Sequence, residues 1–234
     1  MKNCRPVKIA IIDNAVEPDI YQPVRHWARF LPPGWESFRA PARILPDLKE
    51  NFTHLILTGS EASILEPERW AEEEVEFVRE ADRLGLALLG SCYGHQLLAR
   101  ALAGPDCIGP CREPEIGWIP VVSKEDSKVF GLRGTESHVF SLHFDEVCNL
   151  PSPFVILAGT DICPVQAFAL KGRPIRGYQI HPEIDPQEGR FLLRAQAARN
   201  GRGGPDLYTY ALGFESRDSG LIHQIVKEFL SLNP

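Results

Sequence analysis

The sequence has no apolar run approaching the roughly 20 residues needed to span a bilayer. It also has no excess of basic residues, since 25 lysines and arginines stand against 31 aspartates and glutamates, for a formal net charge of −6. A chain with a net negative charge does not attract nucleic acid or an anionic membrane surface, so neither is expected as a partner. The first apolar stretch, Ile9 to Ile12, is short and ends at Asp13, which predicts a strand rather than an export signal. We therefore expect a cytoplasmic protein with reduced thiols.

Patterns of metal ligands are also missing. The six cysteines contain no C-x-x-C pair, and no further pair at zinc-site spacing accompanies Cys107 and Cys111. His138 and His143 lie five residues apart on strand-like sequence and should point to opposite faces. Together with Asp145 they are interpreted as a hydrogen-bonded loop, and no metal is predicted. The cysteines are Cys4, Cys92, Cys107, Cys111, Cys148 and Cys163.

Apolar runs alternate with helical patterns along most of the chain, which predicts parallel strands joined by crossover helices. Strands are predicted at residues 7–13, 53–60 and 86–90, and residues 174–185 are predicted to form a strand that ends in a loop. Helices are predicted at residues 65–85, 95–104, 186–200 and 219–232. Short apolar segments between residues 117 and 170 predict a small antiparallel β region. The expected fold is an α/β domain spanning residues 1–234, with an open, mostly parallel twisted sheet and helices on both faces. The glutamates at 72–74 are expected in a solvated first helical turn.

The segment ALLGSCYGHQLLARALAG, residues 87–104, places one cysteine between an apolar strand and a helix. A side chain at that junction stands at the carboxyl edge of the sheet, where open α/β folds bind ligands. The N–H groups of a helix beginning near Tyr93 favour the Cys92 thiolate over the thiol. Gly90 and Gly94 suit a turn too tight for a Cβ atom, as at a nucleophile elbow. Cys92 is thus a candidate nucleophile, and the alternative is a small buried cysteine.

A second constellation, YQIHPE, follows another apolar strand. His181 should stand at the sheet edge, and Glu183, two residues later across Pro182, can orient its imidazole. His95 is nearer to Cys92 in sequence, but its place on the helix predicts that it points away. The alternative for this motif is a polar loop after a strand.

These residues together resemble the class I glutamine amidotransferases, which use a Cys-His-Glu triad. The family motif G-x-C-x-G-x-Q stands complete at Gly90–Gln96, and H-P-E stands at His181–Glu183. The segment LHFDEV is similar to the S-H-x-D-x-V segment of stand-alone members, with Leu142 in place of the serine. LTGSEASI takes the place of the oxyanion loop, and its Gly59-Ser60 pair resembles the GMP-synthase-like branch. The resemblance covers residues 7–185 and implies a flavodoxin-like fold.

The resemblance implies a reaction and a role for each matched residue. Cys92 would attack the side-chain amide carbon of glutamine, His181 would act as base and then protonate the leaving ammonia, and Glu183 would orient His181. Water would hydrolyse the γ-glutamyl thioester, and no cofactor is implied. The implied oxyanion and substrate-binding residues are Gly59, Ser60, Tyr93, Gln96 and His143.

Three functions remain open at this point. No motif after Asp185 resembles a synthetase, so a glutaminase of this kind would pass its ammonia to a separate synthetase. A hydrolase or transferase of γ-glutamyl peptides or conjugates would use the same triad. A non-catalytic binding relative would keep the fold, although the intact triad argues against it. The glycine-rich stretch at residues 201–206 is expected to be flexible, and residues 201–214 could form a mobile flap or a partner surface.

Overall fold

A computed structural model describes residues 6–233, and Cys4 lies outside them. All nine strands in this range join one sheet. They are β1 (Ile9–Asp13), β2 (Glu36–Arg39), β3 (His54–Leu57), β4 (Ala87–Ser91), β5 (Ile108–Ser123), β6 (Glu136–Val147), β7 (Phe154–Gly159), β8 (Ala167–Leu170) and β9 (Ile175–Tyr178).

The sheet has a parallel half and an antiparallel half. Its strand order is β2-β1-β3-β4-β9-β8-β7-β5-β6. The first five strands in this order pair in parallel, and every pairing from β9 onward is antiparallel. The expected α/β sheet is confirmed, and its antiparallel part is larger than expected because β5 and β6 extend over 16 and 12 residues. A register shift interrupts their pairing between Pro110 and Glu115.

Of the six α-helices in residues 6–233, some cover both faces of the parallel half, and two pack on β5 and β6 of the antiparallel half. The helices are α1 (Pro23–Ala28), α2 (Arg69–Arg83), α3 (Tyr93–Ala103), α4 (Pro186–Ala198), α5 (Pro205–Leu212) and α6 (Ile222–Ser231). Alternate side chains of β1 point to opposite faces of the sheet. Ala10 and Ile12 pack in the core formed with α2 and α3, while Ile9 and Ile11 pack in the core formed with α6. Burial on both faces explains why these strands are continuously apolar in sequence. Within residues 6–233, no helix combines the length and the apolar character that crossing a membrane requires.

The segment after α4 is a turn and a helix rather than an unstructured connection. Gly203 and Gly204 adopt positive φ angles of 86° and 88°, which only glycine adopts readily, and α5 follows directly. Tyr208 of α5 is buried, and its hydroxyl donates a hydrogen bond to the Arg202 carbonyl at 2.6 Å. Ala211 packs 3.4 Å from the position that a Cβ atom on Gly117 of β5 would take. The glycines therefore turn the chain back onto the sheet.

The glutamate run of α2 is not solvated throughout. Glu74 is fully buried, and neither of its carboxylate oxygens has a hydrogen-bond partner within residues 6–233. It follows Trp70 and precedes Val78 at intervals of four, so it shares their buried face. Burial raises the pKa of Glu74 to about 8, although the neighbouring Asn14 side chain opposes the shift. The glutamate is therefore protonated in the folded chain at neutral pH.

Replacing Glu74 with glutamine should stabilise the protein increasingly as the pH rises. The folded pKa of about 8 exceeds the ordinary value of 4.5, so wild-type stability falls between these two pH values and levels off above them. At pH 8 the variant should gain about 3–5 kcal/mol in the free energy of unfolding. Urea unfolding at pH 5, 6.5 and 8 measures this gain. Glu76→Gln, on the exposed side of the same helix, is the control, and an equal gain there would contradict the assignment.

Candidate active site

Cys92 occupies the junction between β4 and α3 in a strained backbone conformation. Its φ is 49° and its ψ is −105°, a combination that non-glycine residues rarely adopt. The Cys92 N–H donates to the Tyr178 carbonyl at the end of β9, at 2.8 Å. The predicted elbow is therefore present, and it directs the cysteine to the carboxyl edge of the parallel strands.

The two glycines of the motif are required by close packing. A Cβ atom on Gly90 would lie 2.3 Å from the Gly94 carbonyl oxygen, and one on Gly94 would lie 2.1 Å from the Leu57 carbonyl oxygen of β3. Contacts this short are forbidden, so any side chain would push α3 away from the sheet. The expectation of a turn too tight for a Cβ atom is confirmed.

His181 and Glu183 form a buried pair just beyond β9. His181 Nδ1 lies 2.8 Å from Glu183 Oε1, and Glu183 is completely inaccessible to solvent. Burial alone lowers the pKa of His181, but the nearby Cys92 and Glu183 outweigh it and raise this pKa to about 10. For Glu183, burial alone would raise the pKa. The contacts with His181 and Tyr21 outweigh burial, so the pKa of this carboxyl group is lowered. The pair is an imidazolium bound to a carboxylate, with the sulfur of Cys92 beside it.

One cavity of about 350 Å³ is lined by both Cys92 and His181. The fold thus brings together two side chains that lie 89 positions apart in the chain. Gln179 Nε2 lies 3.7 Å from the Cys92 sulfur, and the Leu142 carbonyl oxygen lies 3.8 Å from it. The sulfur therefore faces the cavity with polar groups around it.

Three residues that donate hydrogen bonds to Glu183 were not predicted from the sequence. The Tyr21 hydroxyl donates to Glu183 Oε1 at 2.7 Å, and the Ser91 hydroxyl donates to Oε2 at 3.3 Å. The Arg29 guanidinium donates to the Glu183 backbone carbonyl at 2.9 Å. Tyr21 lies in a loop with no motif, so its sequence carried no signal. Ser91 lies next to the cysteine and could have been considered on that ground.

Of the oxyanion candidates, only Ser60 lines the cavity, while Gly59 lies against His181 and Tyr93 directly follows Cys92. Gly59, just after β3, lies so close to His181 that a Cβ atom on it would be 2.7 Å from the imidazole Cε1. Within residues 6–233, the backbone N–H groups of Gly59 and Tyr93 have no hydrogen-bond acceptor. Ser60 lines the cavity, and its hydroxyl accepts a hydrogen bond from the Ala62 N–H at 3.0 Å. Two N–H donors are thus available, one in the residue against His181 and one in the residue after Cys92.

Gln96 lines the cavity, and its side-chain amide also donates hydrogen bonds to two neighbouring residues. Its Nε2 donates to the Asp145 carbonyl at 2.7 Å and to Gln179 Oε1 at 3.2 Å. His95, by contrast, is fully buried against Phe168, with ring centroids 4.8 Å apart. Burial lowers the pKa of His95 to about 3. The prediction that His95 points away from Cys92 is confirmed.

His143 also lines the cavity, yet both of its ring nitrogens face protein groups. Its Nε2 lies 3.0 Å from Glu115 Oε2, and its Nδ1 lies 3.2 Å from the Asp145 carbonyl oxygen. A direct contact between these nitrogens and a substrate would require one of these bonds to break. The role of His143 in substrate binding stays a prediction.

The rim of the cavity carries charge contributed by the segment after α4. Arg202 pairs with Asp145 at 2.9 Å and lies over the Phe144 ring, 4.9 Å from its centroid. Asp145 also accepts a hydrogen bond from the Ser63 hydroxyl at 2.6 Å. Residues 200–202 line the cavity directly. The glycine-rich segment therefore forms part of the site.

Residues 34–198 match the family model of the glutamine amidotransferase class-I domain. The chain belongs to the class I glutamine amidotransferase family. A glutamine-hydrolysing GMP synthase subunit of Pyrococcus abyssi is 33% identical over 114 residues, which are 48% of this chain and 60% of that protein. The corresponding subunit of Methanococcus aeolicus is 38% identical over 110 residues, 47% of this chain and 57% of that protein. The matched segments thus span less than two thirds of these relatives.

Solved structures of the family share this architecture. A glutamine amidotransferase of Thermotoga maritima superposes with a TM-score of 0.72, covering 97% of this chain and 99% of its own, at 18% identity. A GMP synthase subunit from Thermoplasma acidophilum superposes with a TM-score of 0.63, covering 80% of this chain and 90% of its own, at 26% identity. The first likeness establishes the fold, and the second accords with the family assignment.

Proposed function

We propose that the chain hydrolyses the side-chain amide of glutamine through a γ-glutamyl thioester on Cys92. The observation that carries this proposal is one cavity that holds a cysteine on a strained elbow beside an imidazolium bound to a buried carboxylate. Family membership supports it, and so do the names of the relatives, which are glutamine-hydrolysing GMP synthases.

The reaction takes two steps on these residues. The Cys92 thiolate attacks the amide carbon, and the N–H groups of Gly59 and Tyr93 bind the resulting oxyanion. The carbon–nitrogen bond breaks as His181 gives its proton to the departing nitrogen, which leaves as ammonia. His181 then takes a proton from water, the hydroxide adds to the thioester, and the thiolate departs from glutamate. Glu183 orients the imidazole and stabilises its charged form throughout.

The ammonia is proposed to serve a separate synthetase subunit. The relatives from P. abyssi and M. aeolicus are each named as one subunit of GMP synthase, which supports a partner of this kind. A cytoplasmic location is proposed as well, since the five cysteines within residues 6–233 are free thiols. The single sheet that runs through all nine strands of that range supports a single domain.

A γ-glutamyl conjugate is a second candidate substrate because of the cavity rim. Arg202 reaches Asp145 there with about half of its side chain exposed, and a second pair, Arg199 with Glu17, lies beside it. A guanidinium at this position can bind a carboxylate that lies beyond the γ-glutamyl group.

Steady-state hydrolysis of glutamine and of γ-glutamyl dipeptides by the purified chain separates the two candidates. Ammonia release from glutamine, with dipeptides turned over poorly, supports the glutaminase. Faster turnover of dipeptides, with a KM that Arg202→Gln raises for dipeptides alone, supports the conjugate hydrolase. A chain that turns over neither substrate and gains no label from 6-diazo-5-oxo-norleucine contradicts both.

A further inference from the structure

Three side chains of different chemistry converge behind the wall of the active site. Glu115 of β5, His143 of β6 and Cys163 of the loop between β7 and β8 bring an oxygen, a nitrogen and a sulfur within 4.8 Å of one another. Their exposed fractions are only 5%, 3% and 0%. We propose that Glu115, His143 and Cys163 bind a zinc ion.

The donor set and its spacing fit this ion. Zinc in proteins is bound by the three donor types of cysteine, histidine and carboxylate, and it takes a tetrahedral arrangement. Ligand oxygens and nitrogens on a tetrahedral zinc lie about 3.3 Å apart. His143 Nε2 and Glu115 Oε2 are 3.0 Å apart, so a small opening admits the ion between them. The sulfur and nitrogen donors disfavour magnesium and calcium, which take oxygen ligands.

Partners of the three ligands already hold them in position. His143 Nδ1 lies 3.2 Å from the Asp145 carbonyl oxygen and 3.2 Å from the Cys111 sulfur, so protein groups hold one side of the ring while Nε2 faces Glu115. Glu115 Oε1 accepts from the Thr160 hydroxyl at 2.6 Å, and Oε2 accepts from the Gln166 amide. The same Thr160 hydroxyl accepts the Cys163 N–H at 2.8 Å. Outer contacts of this kind orient the ligands of protein zinc sites.

A second carboxylate beside the cluster, which offers a fourth ligand, is incompletely satisfied. One oxygen of Glu146, Oε2, is buried and has no hydrogen-bond partner within residues 6–233. Glu146 lies next to Cys163, so the carboxyl groups of both Glu115 and Glu146 are neighbours of this sulfur. The local field is therefore negative, which disfavours a second anion but favours a divalent cation. Glu146 or a water molecule would complete the tetrahedron.

The site would fasten three parts of the antiparallel half to one another. Glu115 directly follows the register shift in the pairing of β5 with β6, where the strand bends. His143 follows Leu142, whose carbonyl oxygen lies 3.8 Å from the Cys92 sulfur. The ion thus fixes the strand that forms one wall of the catalytic cavity. Residue spacings of 28 and 20 match no short zinc motif, so the sequence predicted no metal.

Binding of zinc converts the Cys163 thiol to a thiolate and releases its proton to solvent, so affinity should increase with pH. Cys92→Ser is the background for the test because it removes the catalytic thiolate. After removal of metal by a chelator, zinc is titrated against a chromophoric competitor. The background protein should bind one zinc per chain, and Cys163→Ser and His143→Gln should each weaken binding by about 100-fold or more. Cys107→Ser, which alters a buried cysteine elsewhere, should bind zinc as the background does.

Cobalt provides a readout that needs no substitution at the three proposed ligands. Cobalt added to the Cys92→Ser protein should give a thiolate-to-metal charge-transfer band and the visible bands of tetrahedral geometry. Absence of stoichiometric zinc binding, or a cobalt spectrum without the thiolate band, would overturn the proposal. So would zinc binding that a folded Cys163→Ser variant retains at full affinity. None of these outcomes bears on glutamine hydrolysis, which is assayed separately.

Discussion

Replacing Cys92 with serine should reduce the hydrolysis of glutamine by about 10⁴-fold or more while leaving the fold unchanged. The substitution exchanges one buried atom, so the elbow and the contact of its N–H with the Tyr178 carbonyl should persist. A serine hydroxyl is far harder to ionise than a thiol, and the His181 imidazolium beside it has no proton-accepting capacity. The thioester therefore cannot form. Measurement of kcat and KM for glutamine, with circular dichroism as the check on folding, provides the result.

Covalent trapping locates the nucleophile directly. Wild-type protein incubated with 6-diazo-5-oxo-norleucine should gain one label, which peptide mass spectrometry should place on Cys92. His181→Ala should lose most of this label because the thiolate loses its imidazolium partner. Cys107→Ser is the matched control, since it removes another buried cysteine, and its labelling should equal that of the wild type. A label on any other cysteine, or full activity of Cys92→Ser, would contradict the assignment.

The catalytic candidates were predictable because each lies in a short motif at the end of a strand. A parallel sheet brings the carboxyl ends of its strands to one edge, so local sequence at β4 and β9 was enough to place Cys92 near His181. Contacts between segments distant in the chain are not marked by any local sequence motif. Tyr21 reaches Glu183 across 162 positions, and Arg202 reaches Asp145 across 57. No pattern within either segment indicates these partners.

The strands that were predicted differ from those that were missed in how their side chains are buried. Strands buried on both faces are apolar runs, and these were recognised. The strand β2 lies at the edge of the sheet, and its residues Glu36–Arg39 are half-buried or exposed, so it shows no apolar run. The strand β5 contains prolines and glycines that obscured its length of 16 residues. The burial of Glu74 was missed for another reason. A charged residue predicts an exposed position, but this one lies on the buried face of α2.

Replacing Glu183 with glutamine should lower kcat/KM for glutamine by about 10²–10⁴-fold. Glutamine keeps the size of the side chain in this fully buried position but loses the charge that faces His181 Nδ1 at 2.8 Å. The amide can also present its NH₂ group to the ring, which favours the wrong tautomer. Glu183 acts on the reaction through His181, so it is a positioning residue, and a loss of activity alone would not distinguish this role from a structural one.

The pH dependence of Cys92 alkylation makes that distinction. Glu183 contributes to the raised pKa of His181, so its loss should lower this pKa and deplete the imidazolium near neutral pH. Iodoacetamide should then label Cys92 more slowly in the variant at about pH 6.5–7, and the difference should vanish at high pH, where the thiol ionises unaided. Glu188→Gln, which alters a partly exposed glutamate five positions away, should keep the wild-type profile. An alkylation profile in Glu183→Gln that matches the wild type, together with reduced activity, would assign Glu183 a purely structural role.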